Sequence, residues 1–293
     1  SQLIEERGEY EGNKLYRYYS NAFSASYKDH FSPRTALLDL DYILRLDVRN
    51  TLQMHIFRPV GAQANQLRLK VFSFAESLEL SNIVPVLENM GLRVIGEHPY
   101  RIDTDAGMVW LHDFNLRREA HLEADIPSVQ KNFQAAFLAV VSGEAENDRF
   151  NKLILDTRLN WKEVSLLRAY ARYMKQLQLP FGINYVAETL VSHPDITRNI
   201  IGLFKARLDP KVKRAQGNSS ERAERIRNNL IESIAEVKSS TFAERSSIVK
   251  STESIVINKI EKLIDAKSER ITANVNGGLC FALAMCLLIQ LIE

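Results

Sequence analysis

Residues 83–116 read IVPVLENMGLRVIGEHPYRIDTDAGMVWLHDFNL, and their reading decides the fold. A helix is expected from about Ser81 to Met90, with Pro85 in its first turn, where the early N–H groups lack helical partners. Gly91 then suits the C′ position, where φ is commonly positive. Arg93–Ile102 and Met108–Phe114 read as two strands joined through Asp103–Gly107. Upstream, Leu52, Met54 and Ile56 alternate with Gln53 and His55, and Leu67, Leu69 and Val71 alternate with Arg68, Lys70 and Phe72. The loop Gly61–Asn65 makes these two runs a hairpin. Ser32-Pro33 marks a helix start, with Ser32 as N-cap and Pro33 at the first helical position. Ala36, Leu37, Leu40, Ile43 and Leu44 supply that helix's stripe. The order helix, two strands, helix, two strands predicts an antiparallel sheet with helices on one face, a ferredoxin-like α+β sandwich.

Ahead of this module, residues 1–31 are rich in aromatics, and Leu15, Tyr18, Tyr19, Ala22 and Phe23 suit a short amphipathic helix. Behind it the chain turns helical. Val129, Phe133, Phe137 and Val140 form one stripe, opened by Ile126-Pro127. Trp161, Val164, Leu167, Ala171, Met174 and Leu177 form a second, stopped by Pro180. Ile196, Ile200, Leu203 and Leu208 form a third, ended by Asp209-Pro210. Residues 211–222 read as a polar hinge, and Ile226, Leu230, Ile234 and Val237 as a further helix. The expected organisation is a helical lead-in over 1–31, an α+β module over 32–120, an all-helical domain over 121–240 and an atypical apolar tail over 241–293.

Composition is that of a soluble globular chain, with 45% apolar and 25% charged residues in 293. A net charge of +2 gives no general attraction to nucleic acid or acidic lipid. Cys280 and Cys286 sit in one apolar run and build no disulfide framework. From the charged start at Ser1 no signal peptide is expected, and a fragment or processed chain is the expectation. Residues 279–292, LCFALAMCLLIQLI, span about 21 Å as a helix, short of the roughly 30 Å core of a bilayer. They read as a buried or partner-seeking helix, and no membrane span is expected.

The residues offer little chemistry. Six histidines are scattered, with no metal spacing among them. His112 and Asp113 are neighbours on a strand and must point to opposite faces. The acidic loop Gly143–Asp148 lacks calcium-loop spacing and reads as a connector capping a helix near Arg149. Arg168, Arg172 and Lys175 read as a charged outer face. Residues 205–227 are basic, but lack the aromatic interleaving of a nucleic-acid reader. No P-loop or dinucleotide-binding glycine pattern is present. Asn89 and Gly91 are the candidate effector-binding residues. A glycine turn at a helix end lets backbone N–H groups approach a carboxylate, and Asn89 adds a side-chain contact. A plain C-cap glycine is the alternative.

Longer blocks carry a resemblance. FSP at 31–33, PVLENMGLRVIGEHPY at 85–100, WLHDFNL at 110–116, GEAENDRFNKLIL at 143–155, WKEVSLLRAYARYMKQ at 161–176 and the run 180–210 are similar to the large multidomain NAD-specific glutamate dehydrogenases of bacteria. The match covers most of residues 10–240, and residues 246–293 depart from it. The resemblance implies an ACT-like module and the helical region preceding a catalytic domain that oxidatively deaminates L-glutamate with NAD. It implies no catalytic or NAD-binding residue in this chain. It implies as partners the rest of the polypeptide, a homo-oligomer and an amino-acid effector, in the cytoplasm. The alternative is a stand-alone interaction or effector-binding module.

Overall fold

The computed structural model describes residues 7–118, 126–176 and 181–208, together with 225, 226, 228, 229, 232 and 233. The chain divides into two units, Ser1–Trp161 and Lys162–Glu293. The expected hinge at 211–222, the apolar tail and the residues about Pro180 lie outside the described residues.

Among the described residues the first unit opens with α1 (Glu9–Tyr19), α2 (Ala25–His30) and α3 (Pro33–Ile43). The single aromatic helix expected before residue 31 is therefore two. Ser24 breaks them apart by accepting the Tyr27 N–H and so capping α2. Ser32 caps α3 through the Thr35 N–H, and Pro33 takes the first helical position, as its fixed φ favours. Then come β1 (Leu52–Phe57), β2 (Gln66–Phe74), α4 (Leu80–Asn89), β3 (Leu92–Thr104), β4 (Gly107–Arg118) and α5 (Ile126–Val141). The strands form one antiparallel sheet in the order β1-β2-β4-β3.

Three expectations need correction. Helix α4 begins at Leu80, so Pro85 sits at its sixth residue rather than in the first turn. The missing N–H there forfeits one helical bond, a cost of about 3 kcal/mol in a free helix. Burial of Ile83, Val86 and Leu87 on the sheet holds the helix together. Strands β3 and β4 run longer than expected because Leu116 and Arg118 are buried beyond Phe114. The helices cover both faces of the sheet, not one. Leu67, Leu69 and Val71 are buried on one face, but so are Lys70 and Phe72 on the other. Phe72 stacks on Tyr42 near the end of α3, with ring centroids 5.5 Å apart. Around it gather Ala22, Tyr27, Ile43, Leu46, Tyr100, Ile102 and Leu111. The opposite face packs beneath α4 and α5, and Gln134 of α5 donates to the Met54 carbonyl of β1 at 2.7 Å.

Beyond α5, Asp148 accepts the Phe150 N–H and caps a 3-10 turn, Arg149–Lys152, that continues into α6 (Leu153–Thr157). The acidic loop is thus a cap, as its sequence suggests. In the second unit the described residues are largely helical. They form α7 (Trp161–Gln176), α8 (Ile183–Ser192) and α9 (Pro194–Leu208). Val164, Leu167, Ala171 and Met174 line the buried stripe of α7. Thr197 donates to the Leu190 carbonyl at 2.8 Å and fixes the corner between α8 and α9. Arg168, expected on an outer face, is 3% exposed and reaches Ser165, whereas Arg172 and Lys175 are exposed.

The β3–β4 turn makes a sharp test. Gly107 has φ +139°, and a Cβ there would sit 2.9 Å from Cζ of Phe74. Gly107→Ala should cost about 1–3 kcal/mol. Gly96→Ala, where a Cβ meets open space, should stay within about 0.5 kcal/mol. Urea denaturation of the two variants checks the contrast.

Candidate functional site

The sheet places two sets of ionisable groups back to back. Because side chains alternate along a strand, Arg68 and Lys70 of β2 share the α2–α3 face with Asp113 of β4. Asp39 sits in line with Ala36 and Ile43 on the inward stripe of α3, so it meets that face. Lys70 forms an ion pair with Asp39, and both are almost fully buried. The Tyr27 hydroxyl of α2 donates to the same Asp39 oxygen at 2.6 Å. Arg68 pairs with Asp113 beside them. Phe31 completes the cluster, with the Lys70 ammonium 3.9 Å from its ring centroid, a cation–π distance. The Tyr100 hydroxyl bonds Nδ1 of His30 at 2.9 Å and ties β3 to the end of α2.

Burial dominates the electrostatics. It pushes the Lys70 ammonium below its ordinary value, against the pull of Asp39. It pushes the Tyr27 hydroxyl far above its ordinary value, with Asp39 adding to the shift. It raises the Asp113 carboxyl, a rise opposed by Arg68. Oδ1 of Asp113 and Nε of Arg68 are buried without a hydrogen-bond partner, so this pair is the less well satisfied of the two.

His112 faces the other way. Its Nε2 accepts the Leu78 N–H at 3.1 Å, which places the ring proton on Nδ1, aimed at Glu97 Oε1 2.7 Å away. The ring thereby pins the β2–α4 connection to the sheet. His112 and Asp113 therefore serve opposite faces and form no dyad. Among the described residues no group of three or more His, Cys, Asp or Glu is arranged to hold a metal.

The candidate effector residues Asn89 and Gly91 lie together at the end of α4. Gly91 has φ +82°, and its N–H donates to the Glu88 carbonyl at 2.9 Å. Its bare Cα faces Lys152, whose Cγ would lie 3.4 Å from an added Cβ. The Asn89 amide donates to Asn147 at 3.0 Å. The turn thus docks the 147–152 segment. The ionic cluster has no motif in the sequence. Lys70 reads as a solvent-facing alternate on its strand, and the available signal was Asp39, a charge set within an apolar stripe.

Two outcomes follow. Lys70→Met strands the Asp39 charge and should cost about 3–5 kcal/mol, while Lys70→Met with Asp39→Leu should recover most of it; urea denaturation of the single and double variants decides. Asp113 binds its proton more tightly folded than unfolded, where it titrates near 3.8. The folded chain then holds more protons above that pH, so this group's contribution falls as pH rises from about 4 toward its raised folded value. The stability of the native chain minus that of Asp113→Asn should decline over that interval in a pH series of urea denaturations.

The family comparisons map onto these elements in order. Residues 2–46 match the glutamate dehydrogenase helical motif 2, residues 51–129 the glutamate dehydrogenase ACT3 domain, and residues 145–210 the glutamate dehydrogenase helical motif 3. An NAD-specific glutamate dehydrogenase of Halomonas elongata is 41% identical over 223 residues, 76% of this chain and 14% of that protein. The Pseudomonas aeruginosa protein of the same name is 37% identical over 239 residues, 81% of this chain and 15% of its own length. That of Mycobacterium tuberculosis is 30% identical over 212 residues, 70% of this chain and 13% of its own length. The chain thus spans about one-seventh of the length of these relatives. With three matches falling in sequence on the helical layer, the sheet module and the helices that follow, the chain belongs to the NAD-specific glutamate dehydrogenases, as a segment carrying the ACT3 domain between helical motifs 2 and 3.

Proposed function

We propose that this segment is a regulatory and scaffold part of an enzyme that oxidatively deaminates L-glutamate to 2-oxoglutarate and ammonia with reduction of NAD, the hydride transfer taking place in a domain outside residues 1–293. The ordered run of three family matches along the chain carries this reading. The geometry supports it. Lys70, Asp39, Arg68, Asp113, His112 and Glu97 are engaged with one another or with backbone, an arrangement that ties strand to strand and, through Lys70 and Asp39, sheet to helix. NAD belongs to the catalytic domain in this reading. The enzyme is cytoplasmic and assembles as a homo-oligomer. Among the described residues no helix is long and apolar enough to cross a membrane.

The sheet module is ferredoxin-like in a permuted order. Starting a β-α-β-β-α-β unit at its second strand gives strand, strand, helix, strand, strand, helix, the order of β1 to α5. The sheet order β1-β2-β4-β3 supports this, as does the Gln134 bond that brings α5 back over β1. In this reading the module extends through α5, and an all-helical domain follows it. An amino-acid effector at Asn89 and Gly91 would take the place of Asn147 as partner of the Asn89 amide.

The test is a chimera. The Pseudomonas aeruginosa relative carrying residues 2–210 of this chain in place of its own segment should keep glutamate-dependent NADH formation within about tenfold, 1.4 kcal/mol, of its parent. The 293-residue chain alone should form no NADH. Turnover by the isolated chain, or a folded chimera without activity, would overturn the reading.

A further inference from the structure

Both edges of the sheet are partly occupied already. On β3 the Asp103 N–H donates to the Ala22 carbonyl at 3.0 Å, and Phe23 bridges Ile102. Alternate residues point their backbone groups the same way, so Arg101 and Pro99 share that outward row. Pro99 has no N–H to offer, and a bulge between Val94 and Gly96 breaks the register beyond it. The other edge, β1, is six residues long, and Gln134 occupies its Met54 carbonyl. Short, bulged or capped edges resist strand addition.

The helices α1–α3 present the opposite character. They enclose a groove of about 540 Å³ whose walls include Tyr16, Tyr19, Phe23, Phe31, Leu37 and Leu40. Lys28 is the one charged side chain among the groove's lining residues. Tyr16, at the groove's rim, is 53% exposed, and Tyr19 and Tyr27 line the groove with it. A tyrosine-rich centre depleted of charge is the composition of a protein interface core.

We infer that this groove seats an amphipathic helix from the remainder of the same polypeptide. The inference rests on the reading given under Proposed function. The matched segment is about one-seventh of its relatives, so a tethered partner is at hand at high effective concentration. The groove walls are side chains of helices, whose backbone groups are already paired. Its occupant must satisfy its own backbone hydrogen bonds, which a helix does and a strand does not. Lys28 at the rim selects a helix with a carboxylate beside its apolar stripe.

Peptides of about 20 residues, a helix of about 30 Å, tiling the Halomonas elongata relative outside its matched segment test this when probed with the 293-residue chain. One contiguous run of amphipathic peptides with a flanking Asp or Glu should bind. Leu37→Glu should weaken that binding at least about tenfold. Tyr16→Lys, at the exposed rim where folding is not at stake, and Lys28→Glu should weaken it too. No bound peptide, or binding indifferent to all three variants, would overturn the inference. So would saturation of the groove by 4-phenylbutyrate with no peptide bound, which makes it a small-molecule pocket. A dimer in sedimentation that Tyr16→Lys dissolves would overturn it in favour of a second copy. An active chimera with silent peptides removes the groove assignment alone, and an inactive one removes the reading beneath it.

Discussion

The buried pair between Lys70 and Asp39 is the constraint around which the first unit is organised. A lysine in the middle of a central strand is tolerable only where a carboxylate meets it, because an isolated buried charge costs several kcal/mol. That requirement sets the position of α3, whose Asp39 must lie over β2. It sets α2 as well, since the Tyr27 hydroxyl completes the coordination of the same carboxylate. Phe31 stands against the ammonium, and Phe72 stacks on Tyr42 one alternate position along the strand. An apolar core alone would admit many helix placements of similar energy. A charge pair with an aromatic wall admits few.

Much of this fold is legible in the sequence where a single residue type has a single physical use. Ser32-Pro33 can hardly be anything but a helix start. Gly91 after a short apolar helix can hardly be anything but its end. The strands announce themselves by alternation. What stays hidden is what alternation cannot express. A strand buried on both sides still alternates when one side is built of Arg, Lys and Phe, so β2 looks half-exposed. Pro85 in the interior of α4 breaks a local rule that tertiary packing overrides. Arg168 repeats the lesson in the second unit, because helical spacing tells which residues share a face and not what covers that face. The candidate site divides similarly. The local geometry of Asn89 and Gly91 follows from sequence, whereas their engagement with Asn147 and Lys152 depends on a segment some 60 residues downstream.

The ionisable groups of the unit act as fasteners between its elements. His112 secures the connection between β2 and α4, Asp113 and Arg68 fasten the opposite face, and Arg118 joins the end of β4 to Asp156 of α6. Such an arrangement suits the scaffold role proposed above.

The two-sided burial of β2 and β4 also limits how this segment can change over evolutionary time. Insertion or deletion of one residue in a half-exposed strand moves its apolar side chains into water. In β2 it would do more, because Leu67, Leu69 and Val71 would exchange places with Arg68, Lys70 and Phe72. Two different cores would then be lost at once, one apolar and one ionic. Length variation is therefore confined to the turns, and the interiors of these strands can drift in composition but not in count. A sequence lineage carrying this module keeps a ruler inside it.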